Sequence, residues 1–332
     1  MANIFGDNHG GLQAGYIKNF HSHDQKPEDP DQACLRSLAY RNMYIKSGDK
    51  ERVAGSGEWV FEHAYYKQWH KDGGVLWIRG RAGCGKSMLM NRIVEKEQAR
   101  EVQADGLTVM SFSFQRDGDE SQRSAGGLFR SLLHQLLRVD SKLLAGFRAE
   151  TDFDRHCAQR GHPGTNWDWS ESELRVCFNR FIRLASKKGR RVCIYLDALD
   201  KCGEETALSL LSCLQKVAAE TESHVSTCFS SRPYPFVAIE YDAAINVEEE
   251  NGDDMEAFLA SEFASVSHLR PRTELQTVIE QLISQASGLF QWLAWVSPRT
   301  LKLIHRGESV ATILKKIGGY PEELGDVYEE VL

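Results

Sequence analysis

The 332 residues carry a net charge of −7 with acidic and basic positions interspersed, a chain long enough for about two domains and without the basic stripe of a nucleic-acid partner. The most apolar run, Leu289 to Val296, is broken by Gln291 and closed by Ser297 and Pro298, far short of the roughly 20 residues that span a bilayer, so no membrane association is expected. Eight cysteines without a CxxC pair read as free thiols with neither disulfides nor zinc, and the start lacks a secretory signal, which predicts a cytoplasmic protein.

Residues 1–33 do not read as a folded unit. GDNHGGLQAGYIKNF, Gly6 to Phe20, holds four glycines among thinly spaced apolar residues, and each glycine costs roughly 1 kcal/mol against alanine inside a helix. HSHDQKPEDPDQA, residues 21–33, is polar with two prolines and reads as a linker in which His21 and His23 are solvated, with a boundary near Cys34. Over 34–72, Leu38, Tyr40, Trp59, Phe61, Tyr65, Tyr66 and Trp69 predict a helical lead-in.

From 73 to 243 strands and helices alternate. VLWIR (Val75 to Arg79) predicts a strand, and a glycine-rich turn then opens into SMLMNRIVEKEQAR, whose Leu89, Ile93 and Val94 share one helical face. LTVMSFSF, RVCIYLD (Arg191 to Asp197) and VSTCFSS (Val225 to Ser231) predict further strands. SAGGLFRSLLHQLL, SESELRVCFNRFI and ETALSLLSCLQKVA predict helices, with capping-box spacing at Ser170 and Glu173. This order implies right-handed crossovers and an α/β fold with a mainly parallel sheet flanked by helices. After Ala244 the strand signals largely stop, and DDMEAFLASEF, TELQTVIEQLISQA and LFQWLAWV predict an all-α helical domain over 244–316.

The chemistry centres on GRAGCGKS, Gly80 to Ser87, which fits G-x-x-x-x-G-K-[ST] between a predicted strand and a predicted helix. Gly80, Gly83 and Gly85 let the loop's N–H groups, that of Cys84 included, turn around phosphate oxygens, and the helix starting near Lys86 adds its positive end. Lys86 would reach the β- and γ-phosphates of ATP or GTP and Ser87 would ligate Mg²⁺. Asp197 ends an apolar strand, where a carboxylate is costly unless partnered, so it reads as a second metal ligand acting through water, with a helix cap as the alternative. Asp200 stands where it would orient an attacking water. Arg232, ending another strand in SSRPYPF, has two readings open, γ-phosphate sensing or a surface ion pair.

These motifs, with ACLRSLAY, SGEWVFEH, SFSFQRDGDESQRSAGGLFRSLLHQLL, DALDKC and ASGLFQWLAWV in the same order, resemble the STAND-class P-loop NTPases of the NACHT type, particularly fungal NLR-like proteins and the nephrocystin-type N-terminal domain. The resemblance covers most of residues 34–332. It implies that Gly288-Leu289-Phe290 forms the helical-domain turn packed near the nucleotide, with Phe290 where related chains have proline. It also implies that residues 317–332, with YPEELGDVYEEVL, begin a winged helix, after which sensor repeats belong to a longer product or are missing from a shortened one. Lys201 stands where fungal relatives usually have glutamate after DALD, which predicts nucleotide binding with slow hydrolysis; Met88 in place of threonine is a milder departure.

Other clusters have plainer readings. His156, Cys157 and His162 match no tetrahedral metal motif and read as a loop. Trp167 and Trp169 read as packing before a helix, and Trp292 and Trp295 as helical-domain core, with a partner surface as the lesser alternative for that second pair. The reading favoured is a Mg·nucleotide signalling switch whose helical domain closes over diphosphate and whose exchange for triphosphate permits self-association into an oligomer. An ordinary P-loop kinase or fast NTPase would call for an arginine-rich lid and a second substrate motif; a scaffold with a relic loop would not need Gly85-Lys86-Ser87 and Asp197 intact. The leader resembles the fungal amyloid motif related to the HET-s protein. Asn8, Gln13 and Asn19 would form ladders between stacked copies around Ile4, Leu12, Ala14, Ile17 and Phe20, templating an effector protein that carries a matching motif.

Overall fold

The computed structural model describes residues 29–40, 43, 55–233 and 243–321. The leader, the amyloid reading and residues 322–332 of the expected winged helix lie outside them. The lead-in holds α1 (Pro30–Leu38), α2 (Trp59–Glu62) and α3 (Ala64–Asp72). Helix α1 begins inside the expected linker and corrects the boundary near Cys34. Asp29 caps it by accepting from the Asp31 N–H, and Pro30 sits in the first turn, where the missing N–H leaves nothing unpaired.

The core then runs β1 (Gly74–Arg79), α4 (Lys86–Glu101), β2 (Leu107–Ser113), α5 (Glu120–Arg123), α6 (Ala125–Arg138), α7 (Ser141–Glu150), α8 (Phe153–Arg160), α9 (Glu171–Lys187), β3 (Arg191–Asp197), a 3₁₀ turn (Leu199–Cys202), α10 (Glu204–Glu220), β4 (Val225–Ser231) and β5 (Ala243–Asn246). Ser170 and Glu173 form the capping box that starts α9. His156 and Cys157 lie on α8, so the loop expected there begins only after Arg160. That helix buries little besides Phe153, too weak a stripe for periodicity to reveal. Trp169 packs as expected before α9: its ring stacks on Phe153 at 6.3 Å and its Nε1 donates to Ser37 Oγ at 3.0 Å.

Among the described residues five strands form one parallel sheet in the order β2-β3-β4-β1-β5. Strand β5 pairs Leu76–Arg79 with Ala243–Asn246, so the α/β core extends past the boundary expected at 243. Its four residues alternate too briefly to announce themselves. Along β1, Val75 and Trp77 face a core shared with α1, α6, α9 and α10, whereas Leu76 and Ile78 face the opposite side. There they join Met90 and Ile93 of α4 and a continuous apolar cluster running into the helical domain, which comprises α11 (Val247–Glu250), α12 (Gly252–Phe263), α13 (Arg272–Ala286), α14 (Phe290–His305) and α15 (Val310–Ile317). Trp292 is fully buried in that cluster, while Trp295 is only partly buried, with Arg299 4.0 Å above its ring. Among the described residues no helix is long and apolar enough to cross a membrane.

Candidate nucleotide site

A ligand on an open parallel sheet sits beyond the carboxyl ends of its strands, and there the turn from β1 to α4 carries Gly80–Ser87. Gly85 occupies the N-cap position of α4 at φ 105°, a left-handed conformation that a β-carbon would strain, and no side chain caps the helix. A 16-residue helix therefore offers its positive end to the loop. Lys86 folds back over the turn, its Nζ donating to the carbonyls of Gly80 and Arg81 at 2.7 Å each.

Asp197 ends β3 and is 5% exposed. It accepts from Ser87 Oγ at 3.1 Å, Ser113 Oγ at 3.1 Å and Ser230 Oγ at 2.6 Å. Ser230 comes from β4, the strand lying between β1 and β3, and its hydroxyl also accepts from the Ala198 N–H at 2.9 Å. Three hydroxyls thus hold one carboxylate against the P-loop serine, and the helix-cap alternative for Asp197 has no support in these contacts. Asp200 lies in the following turn and accepts from Arg232 Nε at 2.7 Å, its own side chain buried while the arginine is half exposed. The two residues read separately from the sequence are therefore ion-pair partners.

Two cavities meet at the P-loop. One of about 680 Å³ is polar: Lys86, Arg116, Lys201 and Arg232 face it against the carboxylates of Asp117 and Asp200, a cationic surplus suited to a polyphosphate. The other, of about 460 Å³, is mainly apolar and is walled by Trp59, Met88, Leu89, Val247, Phe258 and Phe290. It lies between the P-loop and the helical domain, which are stitched together. Gln291 N–H donates to the Gly83 carbonyl at 3.0 Å, Arg81 reaches Glu248 and the Ser287 carbonyl, and Asn251 Nδ2 bridges the carbonyls of Cys84 and Gly288. Gly288 has φ +83°, and a β-carbon there would stand 2.6 Å from that of Glu248, so the turn before Phe290 closes tightly on the loop.

Burial pushes the Cys84 thiol up, against the opposing charge of Lys86, and pushes Cys202 up to about 12, so neither cysteine supplies a thiolate nucleophile at neutral pH. The donor set instead fits a nucleoside triphosphate with a hard divalent cation. A hydroxyl and a carboxylate oxygen sit 3.1 Å apart beside an uncapped helix N-terminus. The structure brings together Gly80, Gly83, Cys84, Gly85, Lys86, Ser87 and Asp197, with Asp200 and Arg232 across the polar cavity. Sequence reasoning missed Ser113 and Ser230, whose signal was a polar residue near the carboxyl end of an apolar strand, and it missed Asn251 and Asp254, whose contacts with Cys84 and Gly57 no local motif announces.

The nephrocystin 3, N-terminal family model matches residues 55–232, more than half of the chain. The vegetative incompatibility protein HET-E-1 of Podospora anserina is 25% identical over 91% of this chain, which spans 22% of that protein's length. Solved structures overlap more distantly. Drosophila ORC bound to DNA superposes with a TM-score of 0.46 at 11% identity over 90% of this chain and 69% of that one. The Aeropyrum pernix ORC2 protein in its ADP form gives 0.44 at 11% identity over 87% and 73%. With a family match over more than half its length, the chain belongs to the nephrocystin 3 N-terminal family.

Proposed function

We propose that the protein is a nucleotide-dependent signalling switch that binds Mg·ATP or Mg·GTP and takes part in incompatibility-type cell death. The observation that carries this reading is the juxtaposition of the P-loop serine with the buried Asp197 at the seam to the helical domain. Gly80–Ser87 would hold the phosphates, Lys86 leaving the carbonyls of Gly80 and Arg81 for phosphate oxygens, while Ser87 and Asp197 hold the cation directly or through water. When bound, the cation neutralises phosphate charge. Asp200 positions a water and Arg232 senses the γ-phosphate, which requires their ion pair to open.

Because the helical domain bonds directly to the P-loop carbonyls of Gly83 and Cys84, a phosphate that reorders the loop strains those bonds. That supports coupling of nucleotide state to domain position and, through it, to self-association. The leader would then be gathered into a local concentration high enough to template an effector with a matching motif. The test is calorimetric and thermal. Mg·nucleotide at about 100-fold its Kd should stabilise the protein by about 2.7 kcal/mol, and Lys86→Ala should abolish the shift; an unchanged shift in the variant overturns the assignment. Mass spectrometry of what the denatured protein releases identifies the nucleotide.

A further inference from the structure

The polar cavity holds one arginine to which the site as described gives no task. Arg116 is exposed and lines this cavity together with Ala82, Gly83, Lys86 and Ser87 of the P-loop. Lys86 is folded back on the carbonyls of Gly80 and Arg81, and Arg232 is tied to Asp200. The guanidinium of Arg116, by contrast, makes no hydrogen bond or ion pair among the described residues. Its place in the chain is nevertheless fixed. Ser113, the last residue of β2, donates its hydroxyl to Asp197 Oδ2 at 3.1 Å, and the Phe114 N–H donates to the Asp197 carbonyl at 3.0 Å. The chain then turns sharply: the Gly118 N–H donates to Gln115 O at 3.2 Å, which leaves Arg116 and Asp117 at the two central positions of the turn. Gln122, 6% exposed, anchors both ends, its carbonyl accepting from the Gln115 N–H at 3.1 Å and its Oε1 from the Asp119 N–H at 3.0 Å. A β-carbon on Gly118 would stand 2.5 Å from that Oε1 and would push Gln122 aside. Arg116 is thus presented by an ordered turn, two residues beyond a backbone N–H bonded to Asp197.

The two cavities say which phosphate this arginine would meet. Both are lined by Gly83, Lys86 and Ser87, so a nucleotide whose base enters the apolar cavity leads its phosphates past those residues into the polar one. The terminal phosphate stands furthest from the base, on the side that Arg116 lines. A guanidinium presents its N–H groups in a planar fork that matches two phosphate oxygens and stays charged at any pH the protein meets. We propose that Arg116 is a ligand of the γ-phosphate, supplied by the turn after β2, and that it gives a triphosphate affinity that a diphosphate cannot use. Arg232 must leave Asp200 before it can meet the same phosphate. Arg116 has no such bond to break, so its contact forms without rearrangement of the polar cavity.

This inference rests on the proposed nucleotide-binding function, and the experiment separates the two. Calorimetric titration with Mg²⁺ compares ADP and GDP with their β,γ-imido triphosphate analogues, which do not hydrolyse. For the base that the wild type binds, Arg116→Ala should weaken the triphosphate analogue by at least about tenfold, the loss of a charge-assisted pair, and leave the diphosphate unchanged. Arg116→Glu, which brings a carboxylate to the same place, should weaken the triphosphate further. Because the side chain is exposed and unbonded, both nucleotide-free variants should melt as the wild type does. Equal losses for diphosphate and triphosphate overturn the inference, since the arginine then serves an inner phosphate or the fold. An unchanged triphosphate affinity overturns it too, as does a charge reversal no worse than the alanine. In each of those cases, with Lys86→Ala abolishing binding, the nucleotide function stands without the γ-phosphate contact. If the wild type binds none of the four nucleotides, both fall.

Discussion

Ser87 Oγ lies 3.1 Å from Asp197 Oδ1, joining the start of α4 to the end of β3 across the intervening strand β4. Since the backbone of the loop still holds phosphates without the carboxylate, Asp197→Ala should remove the Mg²⁺ dependence of nucleotide affinity more than the affinity itself. Titration with and without magnesium checks this. Equal affinities in the wild type would argue against a metal role for the pair.

Across the polar cavity, Arg232 is held by Asp200 and Lys201 lies exposed at the rim. If the arginine senses the γ-phosphate, Arg232→Ala should weaken ATP or GTP by about tenfold while sparing the diphosphate, in line with the loss of a charge-assisted hydrogen bond. Hydrolysis should run well below the roughly 1–100 s⁻¹ of a working phosphotransferase, and Lys201→Glu should raise it. Phosphate release under single-turnover conditions reads both, and rapid wild-type turnover contradicts the reading of Lys201.

His134 of α6 is buried, and that burial, with the charge of Arg138, pushes its pKa down from 6.5 to about 4. The unfolded chain therefore takes up a proton near pH 6.5 that the folded chain resists until about pH 4. This stability is fully present above pH 6.5 and is lost as pH falls through that window, by on the order of 2–3 kcal/mol. Urea unfolding at pH 7.5, 6 and 5 should show the decline, and His134→Gln, which does not titrate, should flatten it. The same slope in the variant would assign the decline to other groups.

A peptide of residues 1–23 should form thioflavin-positive fibrils with the 4.7–4.8 Å repeat of stacked strands. Gly15→Pro or Ile17→Asp should prevent them. A peptide that stays monomeric when seeded removes the leader's signalling role and leaves the nucleotide site untouched.

Much of the α/β core was legible because its strands are short apolar blocks and its helices carry clear stripes. RVCIYLD and VSTCFSS form strands over the same residues as expected, and the P-loop lies between the strand and helix that its motif demanded. Helices α5 and α7 went unread, and two further elements escaped for plain physical reasons. The four-residue β5 gains its stability from pairing with β1, a tertiary fact, and α8 presents too little apolar surface to register. At the site, local motifs marked the phosphate loop and the resemblance marked the turn before Phe290, but the apolar cavity also draws on Gly57, Trp59 and Asn251. Those residues come from distant stretches of the chain and carry no shared signature. The Asp200–Arg232 pairing was likewise invisible, since each residue announced only its own strand end.

The strand order also sets a timetable for the newborn chain. Strand β1, which carries the P-loop, is flanked by β4 and β5 and by neither of the strands made soon after it, so its hydrogen-bonding edges wait for on the order of 150 more residues to be synthesised. At ribosomal speeds of about 5–20 residues per second, that leaves Val75 to Ile78 unpaired for roughly 8–30 s. β2 and β3 meanwhile can join each other. The nucleotide loop is thus among the last parts of the sheet to be assembled, and a nascent chain interrupted before β4 presents an apolar strand with two open edges to chaperones or to other copies of itself.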